Sequence, residues 1–110
     1  MNDKILRKAK VFYKNDVAGC LFETDSEYIF QYDKAFLKKD IAISSSLPVR
    51  EESYKSKELF NFFKGLLPEG WYLEIVSRTL KIDKKDYFGL LIGTATIDTI
   101  GAVTVKQEED

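Results

Sequence analysis

The 110-residue chain is 45% hydrophobic and 14% aromatic, and it carries 17 basic and 18 acidic side chains. This length suits one domain with a modest core, since roughly 65% of the unfolded surface is buried when a chain of this size folds. The balanced charge lacks the positive field behind most nonspecific affinity for nucleic acid, so we expect no direct contact with nucleic acid. No apolar run approaches the about 20 residues of a membrane span, and residues 1–10 lack the apolar core of a signal peptide. We therefore expect a cytoplasmic protein that does not bind membranes.

The first part of the chain has the pattern of a β-hairpin. Residues 9–13 and 17–24 are rich in Val, Phe, Tyr and Leu, and they flank the turn-forming Lys14-Asn15-Asp16. The lone Cys20 lies in the second of these segments, where a small buried hydrophobe is favoured over a nucleophile.

A third strand is predicted where Tyr28, Phe30 and Tyr32 alternate with other residues, since this spacing puts three rings on one strand face. The aromatic face is either core or a docking surface. Ile41-Ala42-Ile43 predicts a further short strand before a loop of three serines.

From residue 56 the apolar spacing becomes helical. Ser56 is the predicted N-cap of a first helix that ends near Leu67, because Pro68 cannot continue it. A second helix is predicted over residues 71–81, with its core stripe centred near Tyr72. Its apolar residues at helical spacing are Tyr72, Ile75, Val76, Thr79 and Leu80.

The last elements are shorter. Asp86 predicts the N-cap of a third helix that runs through Leu91 and is closed by Gly93, and Val103 and Val105 predict a final strand. Together, these elements predict a single α+β domain over residues 1–106 with a charged tail at 107–110. Its small antiparallel sheet is a meander, either open or barrel-like, packed with two to three short helices.

Residue types that commonly serve in catalysis and metal binding are scarce in this chain. The chain has no histidine and one cysteine, which removes the commonest general base and the usual zinc sites, and its six glycines are isolated. Carboxylate pairs at Glu51-Glu52 and at Asp83 with Asp86 lie in polar, turn-like segments, so solvated charges are favoured over a catalytic or metal-binding role. We expect no catalytic residue, cofactor or metal, and a molecule that acts by binding rather than as an enzyme.

Several motifs carry a family resemblance. Ser46-Leu47-Pro48-Val49-Arg50, Tyr54 and the run Leu66-Leu67-Pro68-Glu69-Gly70-Trp71 resemble the signature of the N-terminal domain of HipA-type toxin kinases. In the closing motif, Ile97 precedes Asp98 at a position where family members usually carry Gly. Further matching segments are Val11-Phe12-Tyr13, Val17-Ala18-Gly19, Tyr28-Ile29-Phe30-Gln31-Tyr32, Tyr87-Phe88-Gly89-Leu90-Leu91 and Asp98-Thr99-Ile100-Gly101-Ala102-Val103.

The resemblance implies a function. In HipA-like kinases this domain sits on the amino-terminal side of the catalytic lobes, and its stand-alone form in three-part HipBST modules is an antitoxin. The implied partner is a HipT/HipA-like serine/threonine kinase toxin, which this chain would bind and inhibit. The alternative is a non-inhibitory structural or adaptor domain in a kinase complex with a DNA-binding HipB-like protein.

The candidate contact is the corner that precedes the second helix. Pro68 and Gly70 predict a tight, projecting turn, and helical geometry sets Trp71 a quarter turn off the core stripe. By helical geometry alone the indole either projects or folds back on Phe63 or Leu67; the resemblance favours projection. The predicted partner-binding residues are Pro68, Glu69, Gly70, Trp71, Glu74 and Arg78.

Overall fold

The computed structural model describes residues 4–95 and 102–108, and in that part of the chain an open sheet packs against short helices. The strands lie in the order β4-β3-β2-β1-β5, and each neighbouring pair is antiparallel. The α+β class is confirmed, and the sheet is open rather than barrel-like. The elements are β1 Ile5–Tyr13, β2 Asp16–Thr24, β3 Tyr28–Tyr32, α1 Lys34–Leu37, β4 Tyr54–Ser56, α2 Asn61–Lys64, α3 Gly70–Leu80, α4 Tyr87–Thr94 and β5 Val103–Gln107.

The predicted hairpin is present as β1 and β2. Its turn consists of Lys14 (φ 47°) and Asn15 (φ 76°), both left-handed, which matches the twist of paired strands. Val103 and Val105 lie in β5 as predicted, and β5 pairs with β1 on the side away from β2. Residues 98–101 of the closing motif lie outside the described residues.

The aromatic face of β3 is part of the core. Phe30 is fully buried and Tyr32 nearly so, and their rings meet edge to face at a centroid distance of 4.9 Å. Each of three helices places one phenylalanine on this face, since Phe36 of α1 stacks on Tyr32, Phe63 of α2 contacts Phe30, and Phe88 of α4 stacks on Tyr28. This side of β3 is therefore unavailable as a docking surface.

Two predicted elements are wrong. Ile41-Ala42-Ile43 is not a strand; the Ile43 amide instead donates to the buried Tyr32 hydroxyl at 3.1 Å, and the loop forms a single bridge between Ser44 and Leu47. The helix predicted from Ser56 to Leu67 is only Asn61–Lys64, because residues 54–56 form β4 against β3. The four-residue helix α1, which follows the capping side chain of Asp33, was not predicted.

The start of α4 is as predicted. A carboxylate oxygen of Asp86 accepts from the Gly89 amide at 3.1 Å, and the helix continues beyond Leu91 to Thr94. The same carboxylate pairs with Arg7 of β1, so the cap also ties α4 to the sheet. Among the described residues no helix has the length and apolar character that crossing a bilayer requires.

Candidate partner-binding site

The chain turns sharply between α2 and α3. Glu69 is extended (φ −129°, ψ 163°), and Gly70 then takes a left-handed φ of 58° as α3 begins. Side chains with a Cβ atom rarely adopt this conformation, so glycine is the residue that the turn needs. No heavy atom lies within 4 Å of the place where a Cβ of Gly70 would be, so the corner is open to solvent.

Trp71 projects from this corner. Its side chain is 75% exposed, which rules out packing of the indole over Phe63 or Leu67. The ring meets Tyr72 edge to face, with 6.3 Å between centroids, and Tyr72 is itself 54% exposed. Two large aromatic side chains thus stand together in solvent at the start of one helix.

The predicted core stripe of α3 is wrong, although the helix bounds differ from the prediction by only one residue. Val76 is the buried residue of α3, whereas Tyr72 and Ile75 are about half exposed. Residues three and four apart are neighbours on a helix, so Ile75 extends the aromatic pair. We call Trp71, Tyr72 and Ile75 the α3 surface. Neither Tyr72 nor Ile75 was among the predicted site residues, because their helical spacing suggested core.

The three residues predicted as a polar rim differ in their surroundings. Glu69 and Arg78 are exposed. Glu74 forms an ion pair with Lys84, and this hydrogen bond lowers the pKa of the Glu74 carboxyl. The pair joins α3 to the segment before α4, so Glu74 also helps to hold the helix. Pro68 is half-buried at the base of the corner.

A second charged cluster has a structural role. Arg7 donates to both carboxylate oxygens of Glu23, at 2.6 and 2.9 Å, and to both of Asp86, at 3.1 and 2.7 Å. The Arg7 hydrogen bond lowers the pKa of Asp86, and the two carboxylates raise the pKa of Arg7. The arginine therefore offsets part of the negative charge of the two acids while it bridges β1, β2 and the start of α4.

The remaining polar candidates show no catalytic arrangement. Burial is the main cause of a raised pKa for Cys20, which is the opposite of what an activated thiolate needs. Within residues 4–95 and 102–108, no group of three His, Cys, Asp or Glu side chains is placed to hold a metal ion. In the part of the chain that the structure describes, the α3 surface is therefore the candidate partner-binding site.

Comparisons with known proteins identify the family of the chain. Residues 9–106 match the family model of the HipA N-terminal domain. An uncharacterized protein of Haemophilus influenzae is 30% identical over 105 residues, which cover 96% of each chain. The chain belongs to the HipA N-terminal domain family. The solved N-terminal domain of HipA toxin is similar in fold, with a TM-score of 0.74 and 32% identity over 99% of this chain and 98% of that chain.

The family motifs have identifiable structural roles in this HipA N-terminal domain. Leu47 is buried, and the Arg50 guanidinium lies 3.6 Å from the centre of the Tyr54 ring while it donates to the Glu52 and Ser53 carbonyls. These contacts fold the loop onto β4. The Leu66–Trp71 run, by contrast, forms the corner that projects Trp71.

Proposed function

We propose that this chain is a HipS-like antitoxin: a stand-alone HipA N-terminal domain that binds a HipT/HipA-like serine/threonine kinase toxin in the cytoplasm and suppresses its activity. The observation that carries the proposal is the exposed indole of Trp71 at the corner before α3, in a domain of this family. Exposed aromatic groups next to one another are typical of protein interfaces.

The proposed mechanism is steric. The corner formed by Pro68, Glu69, Gly70 and Trp71 enters the active-site cleft of the kinase, where it blocks nucleotide or substrate or holds the lobes in a nonproductive pose. Trp71 is the hydrophobic anchor, and Tyr72 and Ile75 extend the apolar contact along α3. Glu69, Glu74 and Arg78 form the polar rim. In this role the chain acts only by binding and catalyses no covalent reaction.

The corner suits an anchor because it is already formed in the free domain. The left-handed Gly70 fixes the direction of the chain, buried Val76 holds α3, and the Glu74–Lys84 pair ties its outer side. A side chain that is already positioned loses less freedom on binding, so more of its contact energy remains as affinity. Truncation of a buried interface tryptophan typically costs at least about 2 kcal/mol, or about 30-fold in affinity.

Coexpression with a HipT/HipA-like kinase toxin tests the anchor. Trp71→Ala should lose protection of the cells and weaken binding by at least about 30-fold in calorimetry. Leu6→Ala is the matched control, since Leu6 is an exposed apolar side chain on β1. Circular dichroism should show both variants folded. Full protection by folded Trp71→Ala would show that the indole is not the anchor.

A second experiment separates inhibition from an adaptor role. The purified chain is added to the isolated kinase with no DNA-binding protein present, and phosphorylation is followed with radiolabelled ATP. An inhibitor lowers the rate in proportion to the complex formed. An adaptor that only joins the kinase to a HipB-like protein leaves the rate unchanged, and that result would exclude the antitoxin proposal.

A further inference from the structure

The exposed side of α3 has a cationic end as well as an apolar one. Arg78 lies in the last turn of the helix and Lys81 is its C-cap, and both side chains are exposed. Arg78 comes seven positions after Trp71. Because each residue advances a helix by about 1.5 Å and about 100°, the two lie about 10 Å apart along the axis and nearly in line around it. One side of α3 therefore has an indole at its start and a guanidinium group at its end.

In the described part of the domain, these positive charges have no acidic partner at close range. Glu74, one turn before Arg78, pairs with Lys84, and Arg78 acts on it through charge alone. Within residues 4–95 and 102–108, neither Arg78 nor Lys81 has a carboxylate oxygen at salt-bridge distance. A guanidinium is a planar fork of N–H donors that fits the two oxygens of a carboxylate. Arg78 is therefore placed to pair with a carboxylate of another molecule.

A kinase cleft has two features that correspond to the two ends of α3. It binds a nucleotide, which has an aromatic base at one end and phosphates with Mg²⁺ at the other. The kinase holds this Mg²⁺ through acidic side chains, whose negative charge is unbalanced when the metal is absent. The exposed side of α3 likewise presents aromatic rings at one end, Trp71 and Tyr72, and positive charge at the other.

We propose that Arg78, together with Lys81, takes the place of Mg²⁺ and pairs with the metal-binding carboxylates of the kinase toxin. This role builds on the antitoxin function proposed above, in which the corner before α3 enters the active-site cleft. Since α3 then lies where the nucleotide would bind, Arg78 faces carboxylates rather than nucleotide phosphates. The chain and Mg²⁺ therefore compete for the kinase, and each lowers the affinity of the other by the same factor.

A purely structural role of Arg78 makes a different prediction. A cation in the last turn of a helix is attracted to the unpaired carbonyl groups there, so its removal lowers the stability of the helix. That loss would weaken binding equally at every metal concentration. The dependence of binding on Mg²⁺ therefore distinguishes pairing with the kinase from support of the helix.

Calorimetry of the chain with a nucleotide-free HipT/HipA-like kinase tests this competition. MgCl₂ is varied while NaCl holds the ionic strength constant. The Kd of the complex should rise about tenfold when Mg²⁺ is present at about ten times its own Kd for the kinase. The variant Arg78→Gln with Lys81→Gln should bind at least about tenfold more weakly without metal and should not respond to Mg²⁺. The matched control, Lys38→Gln with Lys57→Gln, removes the same charge from two exposed lysines elsewhere and should behave as the wild type does.

Three results would overturn the proposal: a Kd that Mg²⁺ leaves unchanged, an equal response to Mg²⁺ in the variant of Arg78 and Lys81, or the same loss of response in the control. Tighter binding to the ATP-bound kinase, lost in that variant, would also overturn it, since Arg78 would then contact a phosphate. The response of the wild type to Mg²⁺ needs no substitution, so it tests the proposal even where a variant unfolds.

Failure of this proposal and failure of the antitoxin function give different results. A complex that inhibits the kinase but ignores Mg²⁺ contradicts the role of Arg78 alone and leaves the antitoxin function standing. Absence of any complex with the kinase contradicts both.

Discussion

Asp86 combines two tasks in one carboxylate, since it caps α4 and pairs with Arg7. Its pKa is lowered from the ordinary value of 3.8, first by the Arg7 hydrogen bond. As the pH falls, the unfolded chain therefore takes up this proton before the folded chain does. The stabilisation is complete above the ordinary pKa and is lost as the pH falls through the lower folded pKa.

Asp86→Asn measures this contribution, because asparagine retains N-capping and removes the charge. The wild type should be more stable than the variant by up to about 1 kcal/mol near pH 7, a modest value for a partly exposed pair. The difference should shrink below about pH 4. Urea unfolding of both proteins across this range checks it. A difference that stays constant down to pH 2.5 would contradict the ionic role of Asp86.

Gly70 fixes the corner through its backbone alone. There is open space around its Cβ position, so a larger residue meets no clash, and any cost of substitution comes from the left-handed φ of 58°. Gly70→Ala should lower the free energy of unfolding by about 1 kcal/mol, and Gly70→Asn by less, since asparagine tolerates this conformation. Thermal and urea unfolding of the two variants give the comparison. Equal losses would point to a cause other than φ.

At the scale of the element, α3 has an inner and an outer apolar side. Val76 is 8% exposed and Ile75 is 49% exposed, although both are β-branched neighbours in the middle of the helix. Val76→Ala should lower the free energy of unfolding by about 1 to 2 kcal/mol, because it leaves a cavity. Ile75→Ser should change it by less than about 0.5 kcal/mol and instead weaken kinase binding. Urea unfolding and calorimetry with the kinase measure the two effects. The reverse pattern would show that Ile75 is a core residue.

The same helix shows what periodicity can and cannot predict. Its bounds were predictable from Gly70 and the run of helix-forming residues, but its rotation was not. Tyr72 and Val76 are four residues apart and fit one stripe, and apolar residues occur around most of α3, so the 3.6-residue period does not decide which side of that stripe is buried. Only the packing of the helix against the rest of the domain selects Val76.

Short secondary-structure elements were also hard to predict from the sequence. The three-residue strand β4 has the sequence Tyr-Lys-Ser, which carries little strand signal, and it exists because β3 offers an unpaired edge. Of the apolar residues in the predicted first helix, Leu59 and Phe63 are buried, and Phe60, Leu66 and Leu67 are partly buried against the core, but they reach it from a loop and a single helical turn. Burial was predictable there, and backbone conformation was not.

For the whole molecule, Trp71 is a single reporter of complex formation, since the chain has one tryptophan and it is 75% exposed. The domain labelled with 5-fluorotryptophan should give one ¹⁹F resonance near that of the unfolded chain. Addition of the kinase should move and broaden this resonance as the indole leaves water. The control is the domain labelled with fluorotyrosine, in which the ¹⁹F resonance of the buried Tyr32 should not change when the kinase is added. An unchanged tryptophan resonance in a proven complex would place Trp71 outside the interface.

The candidate site was predictable only in part. The corner and the direction of Trp71 followed from Pro68, Gly70 and the family signature. Tyr72 and Ile75 did not, because an apolar residue at helical spacing is more often core than interface.

The strand order also has a consequence for how the chain reaches its native state. β1, β2 and β3 are joined by tight turns, so these neighbours in sequence are neighbours in space, whereas β5 arrives from the far end of the chain to cover β1. Local contacts form before distant ones, because closing a long loop costs more entropy. During synthesis, a three-stranded sheet can therefore assemble while β5 is still in the ribosome. Until β5 docks, the outer edge of β1 remains exposed beside Val11, and this is the interval in which an unfinished molecule is most open to aggregation.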